Sequence, residues 1–363
     1  MLARPALVML LVTGCGFRAS TGVGAGSSEV DSGTTAAPGG FCVGDAIITA
    51  CLAEPPALPL TIDRATKVDT DGGEPCATNA TASSSQYCIL AGSAITIMGG
   101  QTLSAHGSRP LVLLSSGTIT VFGMIDVAGH LANQPQTSGP GVVGCAGGTP
   151  ATAGGGGHGG TFGSSGGNGG ADNDGHLGGV AATPVDQTTL RGGCAGEAGL
   201  GAGSGAAGPA GGGVALMSAT GIHITGVIDA SGGGGGGAMP NGHGGGGGGA
   251  GGMIVLDAPS VDVAGTAKIF ANGGSGGEGS GGLKGVDGND APLDPNVAAV
   301  GGSGQSSGGD GGAGARNDAM AGNAAAAGGT GSNAGGGGGG GGVGVIRLFK
   351  ATSLGGVVSP PPR

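Results

Sequence analysis

The strongest constraint on this chain is that part of it is written twice. The stretch LVLLSSGTITVFGMIDVAG (Leu111–Gly129) aligns without a gap to VALMSATGIHITGVIDASG (Val214–Gly232). Leu113 falls over Leu216, Ile119 over Ile222, Val121 over Ile224, Ile125 over Ile228, Gly123 over Gly226 and Asp126 over Asp229. A third copy, Met253–Gly273, puts Val261, Val263 and Gly265 in the same slots before lengthening by two residues. An earlier one, Ala94–Gly107, sets Ile95 and Ile97 24 residues ahead of Ile119 and Val121, and VGVIRLF (Val343–Phe349) reads as a fragment that closes the series. A unit that recurs in this way cannot bury its apolar face alone and must stack on its neighbours.

Each copy holds three short runs in which β-branched residues alternate with small or polar ones, the pattern of strands with one buried face. Three strands per unit predict an all-β fold, a short right-handed parallel β-helix in which Ile, Val and Leu of each rung pack on the next. Each inward side chain then contributes about 1.5 to 3 kcal/mol. An antiparallel sandwich would instead need a hairpin turn between successive strands and leaves the near-identical units unexplained.

Glycine enters between the rungs. Of 363 residues 98 are Gly, and they concentrate in insertions at about 130–213, 233–252 and 274–342. No strict Gly-X-Y period is present, which excludes collagen. Segments such as Gly154–Ala171 approach a GGX rhythm, and three residues per turn is the period of a polyproline-II-type helix. Two outcomes stay open: ordered polyglycine-II-like bundles packed backbone to backbone, or flexible loops, since ordering Gly costs more entropy than ordering any other residue.

The first residues, MLARPALVMLLVTGC, carry one Arg, an apolar run from Ala6 to Val12 too short to span a bilayer, and small residues before Cys15. Val12-Thr13-Gly14-Cys15 resembles the bacterial lipobox, with Val12 where Leu is usual. The resemblance implies cleavage after residue 14 and lipidation of Cys15, and more than one acyl chain gives stable anchoring. The chain then divides into a lipoprotein signal peptide (1–14), a Ser/Gly-rich tether (15–40) and a Cys-containing head (41–93). Rungs follow at about 94–129, 214–232, 253–273 and 343–349, and a Pro-rich C-terminal tail at 350–363 ends the chain. Without Cys15 six cysteines remain, Cys42, Cys51, Cys76, Cys88, Cys145 and Cys194, an even number that suits disulfides in an exported protein. The first four allow three connectivities. Cys145 and Cys194 share one Gly-rich region and are expected to pair, closing a loop that gains roughly 4 kcal/mol in the chain-entropy model.

The chemistry is sparse. Net charge is -10 with only 12 Lys and Arg, so there is no basic footprint for nucleic acid. Asp126 and Asp229 fall in equivalent slots with Lys268 near the same register, a row suited to acid-base work on a glycan or to a plain solvent face. Gly273–Gly277 spells GxSxG by chance composition, without the strand-turn-helix setting of a nucleophile elbow. Asp69–Glu74, Asp172–Asp174 and Asp287–Asp290 are oxygen-rich clusters on Gly-containing loops; Ca2+ is the one cofactor they suggest, and Asx turns are the simpler reading. The six His (His106, His130, His158, His176, His223 and His243) are scattered and read as solvated, with no metal spacing.

The Cys-containing head, GSRPLVLL (Gly107–Leu114), GTITV (Gly117–Val121), GGMIVLDAPSV (Gly251–Val261) and the GG-rich insertions together resemble the Gly-rich exported lipoproteins of predatory and gliding deltaproteobacteria, the myxobacteria among them. The likeness implies an envelope location and carries no activity. The insertions alone are similar to mycobacterial glycine-rich surface proteins and to glycine-rich antifreeze proteins. The expectation is a non-enzymatic surface protein on an outer membrane, touching polysaccharide or other envelope proteins. The alternative is a carbohydrate-active β-helix enzyme or polysaccharide-binding module.

Overall fold

A computed structural model describes residues 40–363 except 45–46, 74, 78–79, 81–83, 132–136, 146, 185–186, 306, 318 and 331–332. The signal peptide, Cys15 and nearly all of the tether therefore lie outside the described residues, as does Glu74. The fold is all-β, with no helix among the described residues.

An antiparallel pair, β1 (Phe41–Gly44) and β2 (Thr49–Leu52), opens it. The other strands pair in parallel and form three ladders. The first contains β5 (Cys88–Gly92), β8 (Leu111–Ser115), β11 (Val214–Ser218) and the leading parts of β14 (Met253–Val263) and β16 (Val345–Leu354). The second contains β3 (Leu60–Ile62), β6 (Ile95–Ile97), β9 (Ile119–Val121), β12 (Ile222–Ile224) and the trailing parts of β14 and β16. The third contains β4 (Thr66–Asp69), β7 (Thr102–His106), β10 (Met124–Asp126), β13 (Val227–Asp229), β15 (Lys268–Phe270) and β17 (Val357–Ser359).

The sequence repeat reappears as register. Leu111 sits beside Val214, Ile119 beside Ile222 and Met124 beside Val227, one constant offset across all three ladders. All three contribute to a single apolar interior: Leu113 and Leu216 from the first, Ile119 and Ile224 from the second, Leu103, Ile125 and Ile228 from the third. The corner between the second and third ladders requires glycine. A Cβ on Gly226 would lie 2.0 Å from the Gly123 carbonyl below it, and one on Gly123 would lie 2.3 Å from the carbonyls of Met98 and Gln101. The first ladder is buried on both faces, because Ile48, Ala50 and Leu52 of the β1–β2 region, with Phe162 and Leu190 of the first insertion, cover Ile89, Val112, Ala215 and Val255.

The glycine insertions are ordered by their own backbones. In Gly244–Gly252 the N–H groups of Gly244, Gly247 and Ala250 donate to Leu200, Glu197 and Cys194, and those of Gly245, Gly248 and Gly251 to Gly336, Gly339 and Gly342. Those of Gly246, Gly249 and Gly252 donate to Gly236, Gly233 and Ala230. The carbonyls accept in the same three-residue steps, from Gly205, Gly208 and Gly211, from Gly157 and Gly160, and from Gly277 and Gly274. One extended segment is thus bonded to six others. The Gly335–Gly342 run is bonded in the same step, reaching Gly277, Gly274, Ala326, Asn323, Gly154 and Gly157 with its N–H groups. At the glycines where backbones meet there is no room for a side chain: a Cβ on Gly247 would meet the His158 carbonyl at 2.0 Å.

The stack begins earlier and ends later than the repeat suggests. β3, β4 and β5 fall inside the segment read as a head: β5 leads the unit that β6 and β7 complete, whereas β3 and β4 pair with β6 and β7 as a partial unit that has no first-ladder strand among the described residues and so escapes comparison with the three-strand repeat. Val357 and Val358, read as tail, continue the third ladder against Lys268 and Ile269. Three disulfides close the fold, Cys42–Cys51, Cys76–Cys88 and the expected Cys145–Cys194.

Gly247→Ala is expected to lower unfolding stability by about 3 kcal/mol through overpacking. Gly282→Ala, where a Cβ meets nothing within 4 Å, is expected to change it by less than ~0.5 kcal/mol. Denaturant unfolding of the two variants checks the pair; equal effects would contradict the packing described.

Candidate functional site

The densest group of ionisable side chains lies where the third ladder gives way to the insertions. β10 and β13 end on Asp126 and Asp229, which sit side by side in register. Each carboxylate accepts the N–H two residues on, Ala128 at 3.1 Å and Ser231 at 3.0 Å, an Asx turn that ends the strand and launches the next glycine segment. His130 then folds back, its Nε2 3.2 Å from Asp126 Oδ1 and its Nδ1 3.5 Å from Asp290 Oδ2. Asp290, from the third insertion, accepts the N–H groups of Leu131 at 3.0 Å and Gly234 at 2.8 Å. One carboxylate therefore ties the starts of the first and second insertions to the third.

The electrostatics follow from this crowding. Hydrogen bonds to Asp126 and then Asp290 push the His130 pKa up to about 10 against the opposing effect of burial, so the ring is an imidazolium at neutral pH. Burial pushes the Asp229 pKa up to about 6, Asp126 adds repulsion, and the bonds from Ser231 only partly offset them. Burial would also raise Asp290, but the bonds from His130 and from the Gly234 and Leu131 amides outweigh it and hold the carboxyl below its usual range.

Carboxyls whose pKa values are driven apart are the signature of an acid-base pair. Here, however, Asp229 is only 4% exposed, and a substrate reaching Asp126 does not reach it. Nor does Lys268 join the row. The two-residue lengthening of the third copy places Phe270 beside Asp229 and Lys268 beside Val227, and the Lys268 ammonium donates to the Leu293 carbonyl at 3.4 Å. The arrangement is suited to clasping chain segments, with His130 as the central cation between two carboxylates.

The remaining candidates are also turned toward backbone. Asp69 accepts from Asp71 N, Asp172 from Asp174 N and His176 N, and Asp287 from Gly237 N. Asp71 accepts from the hydroxyl and amide of Ser108, which hold its pKa down. Ser275, the central residue of GGSGG, is fully buried; its hydroxyl accepts from Asn289 N at 2.7 Å and donates to the Val300 carbonyl at 2.7 Å. Among the described residues no group of three or more His, Cys, Asp or Glu is arranged to hold a metal ion.

Two expectations need correction or addition. The histidines are not simply solvated: His130, His158, His176 and His223 each lie within 4.0 Å of a carboxylate, at Asp126, Glu197, Asp172 and Asp262. Sequence reasoning also passed over Glu278 and Glu197. Glu278 is fully buried and accepts from Val286 N and Gln305 N, and Glu197 accepts from Ala151 N and His158 N. An isolated acid inside a glycine run is the signal that marks both. The chain matches no protein-family model, no curated protein and no solved structure.

The clasp has a pH signature. Burial holds the Asp229 pKa at about 6 when folded, above its ordinary 3.8, so stability is lost as pH rises between these values, by up to about 3 kcal/mol. His130, raised from 6.5 to about 10, contributes stability that is complete below 6.5 and lost as pH climbs through 10. Thermal unfolding from pH 4 to 10 is expected to show Asp229→Asn flattening the lower part of this decline and His130→Gln the upper part. Slopes identical to the wild type would remove the assignment.

Proposed function

We propose that this chain is a non-enzymatic, lipid-anchored protein of the bacterial cell envelope. It presents a rigid glycine surface on a short parallel β-helix for structural, coating or adhesive contacts. The observation that carries this reading is the six-sided bonding of Gly244–Gly252. A backbone bonded on every side forms a stiff slab whose interior holds few side chains, Ala250, Ser275 and Glu278 among them, which suits a scaffold or contact surface more than a catalytic cleft. The three-residue step of these bonds supports a polyglycine-II-like packing, and the constant register of the three ladders supports the β-helix reading.

Three disulfides agree with an oxidising, exported setting. The lipobox-like Val12–Cys15 supplies the anchor, and the resemblance to myxobacterial Gly-rich lipoproteins points to the outer membrane or cell surface. Cys15→Ala is the test. The wild type is expected in the detergent-extracted membrane fraction of an expressing Gram-negative cell and the variant in the soluble exported fraction. A variant that stays with the membrane would overturn the anchoring.

A further inference from the structure

We propose that the outward face of the second ladder binds a neutral, hydroxyl-rich polysaccharide lying along the stack. This rests on the surface-protein reading above and names the partner. On β3, β6, β9, β12 and β14 the inward residues are Ile62, Ile95, Ile97, Ile119, Val121, Ile222, Ile224, Val261 and Val263, all buried in the common core. Between them, in one register row, stand Thr61, Thr96, Thr120, His223 and Asp262. Thr61 is exposed and the other four half-exposed.

More hydroxyls flank this row. The Thr118 and Thr220 hydroxyls lie 3.3 Å apart, and both residues are exposed, as is Ser260. On the other side of the row Met98 and Phe122 are 44% and 48% exposed on successive rungs. The other two ladders offer no such strip. The first is covered on both faces. The third has two outward rows: one runs into Asp229 and Phe270, which are buried, and the other, Thr102, Met124, Val227, Lys268 and Val357, is open but carries a single hydroxyl.

Shape and chemistry together select the occupant. Strands of three residues make a strip ~10 Å wide, and the four spacings between its five strands make it ~19 Å long. Its roughly 190 Å² is well short of the ~800 Å² that each partner gives to a stable protein interface. A single linear polymer fits those proportions.

The strand amides and carbonyls are already spent on neighbouring strands, so recognition falls to side chains. Hydroxyls that both donate and accept suit a ligand whose groups do the same, and Phe122 with Met98 offers an apolar contact for the C–H face of a sugar ring. The charged members of the row, His223 and Asp262, bond to each other at 2.7 Å. No Lys or Arg stands in the row to attract uronate or phosphate.

Affinity electrophoresis tests this with the full chain in a non-glycosidic detergent, through gels containing dextran, β-1,3-glucan, xylan or alginate. At least one neutral polymer is expected to retard the wild type, and salt is expected not to abolish the effect. Thr96→Val/Thr120→Val keeps strand shape and removes two hydroxyls; it is expected to weaken retardation about ten-fold. Thr102→Val, on the third ladder, is expected to leave it unchanged.

No retardation by any neutral polymer, retardation by alginate alone, or an unaffected double variant would each overturn the proposal. Circular dichroism of the variants shows whether loss of binding is loss of fold. These outcomes are independent of Cys15, so the binding face and the anchored-surface reading fail separately.

Discussion

Everything in this molecule depends on giving each glycine N–H and C=O a partner. A buried unpaired backbone group is costly, and glycine brings no apolar side chain to offset the entropy lost on ordering. The solution is close packing without Cβ atoms. Extended segments approach until every third residue faces the same neighbour, and a central segment such as Gly244–Gly252 bonds to six others. The price is intolerance of substitution wherever two such backbones meet.

Only a few apolar side chains, Phe162, Leu190 and Ala250, pack the bundle against the first ladder, and further contacts reinforce the junction. The Cys145–Cys194 disulfide and the Asp126–His130–Asp290 clasp both lie where insertions leave or approach the strands. Arg191, buried beside that disulfide, donates to Gly144 and stacks over Phe162 with its guanidinium 5.4 Å from the ring centroid. Carboxylates serve where the three-residue rhythm breaks: Glu197, Glu278, Asp287 and Asp290 accept backbone amides that no glycine carbonyl reaches. A chain with few charges thus spends many of its acids on its own main chain. The faces left free, above all the hydroxyl rows of the second ladder, are where contact with other molecules can be selective.

Much of the stack was legible in the residues. The gap-free alignment of Leu111–Gly129 on Val214–Gly232 is the register that the strands adopt, because in a parallel stack equal spacing in sequence becomes equal height in space. The two-residue lengthening before Lys268 was visible too, yet its consequence, Phe270 rather than Lys268 beside Asp229, needed the pairing itself. The partial unit at β3 and β4 was hidden because its strands are short and no first-ladder strand precedes them among the described residues. The candidate site was only half legible: Asp126 and Asp229 announce themselves by repetition, whereas His130 and Asp290 come from different insertions and meet only in space.

The sequence by itself determined the parallel strands, their order and which residues face inward, since period-2 alternation and an internal repeat are local properties of the chain. It also set the cysteine count and the Cys145–Cys194 pair. Only the tertiary structure decided that the glycine segments order, which of them lie at the centre, and how each acid and histidine is partnered. The reason is that glycine has no side chain to encode a neighbour. Which backbone lies beside which is settled collectively, by hydrogen bonds between segments far apart in the chain.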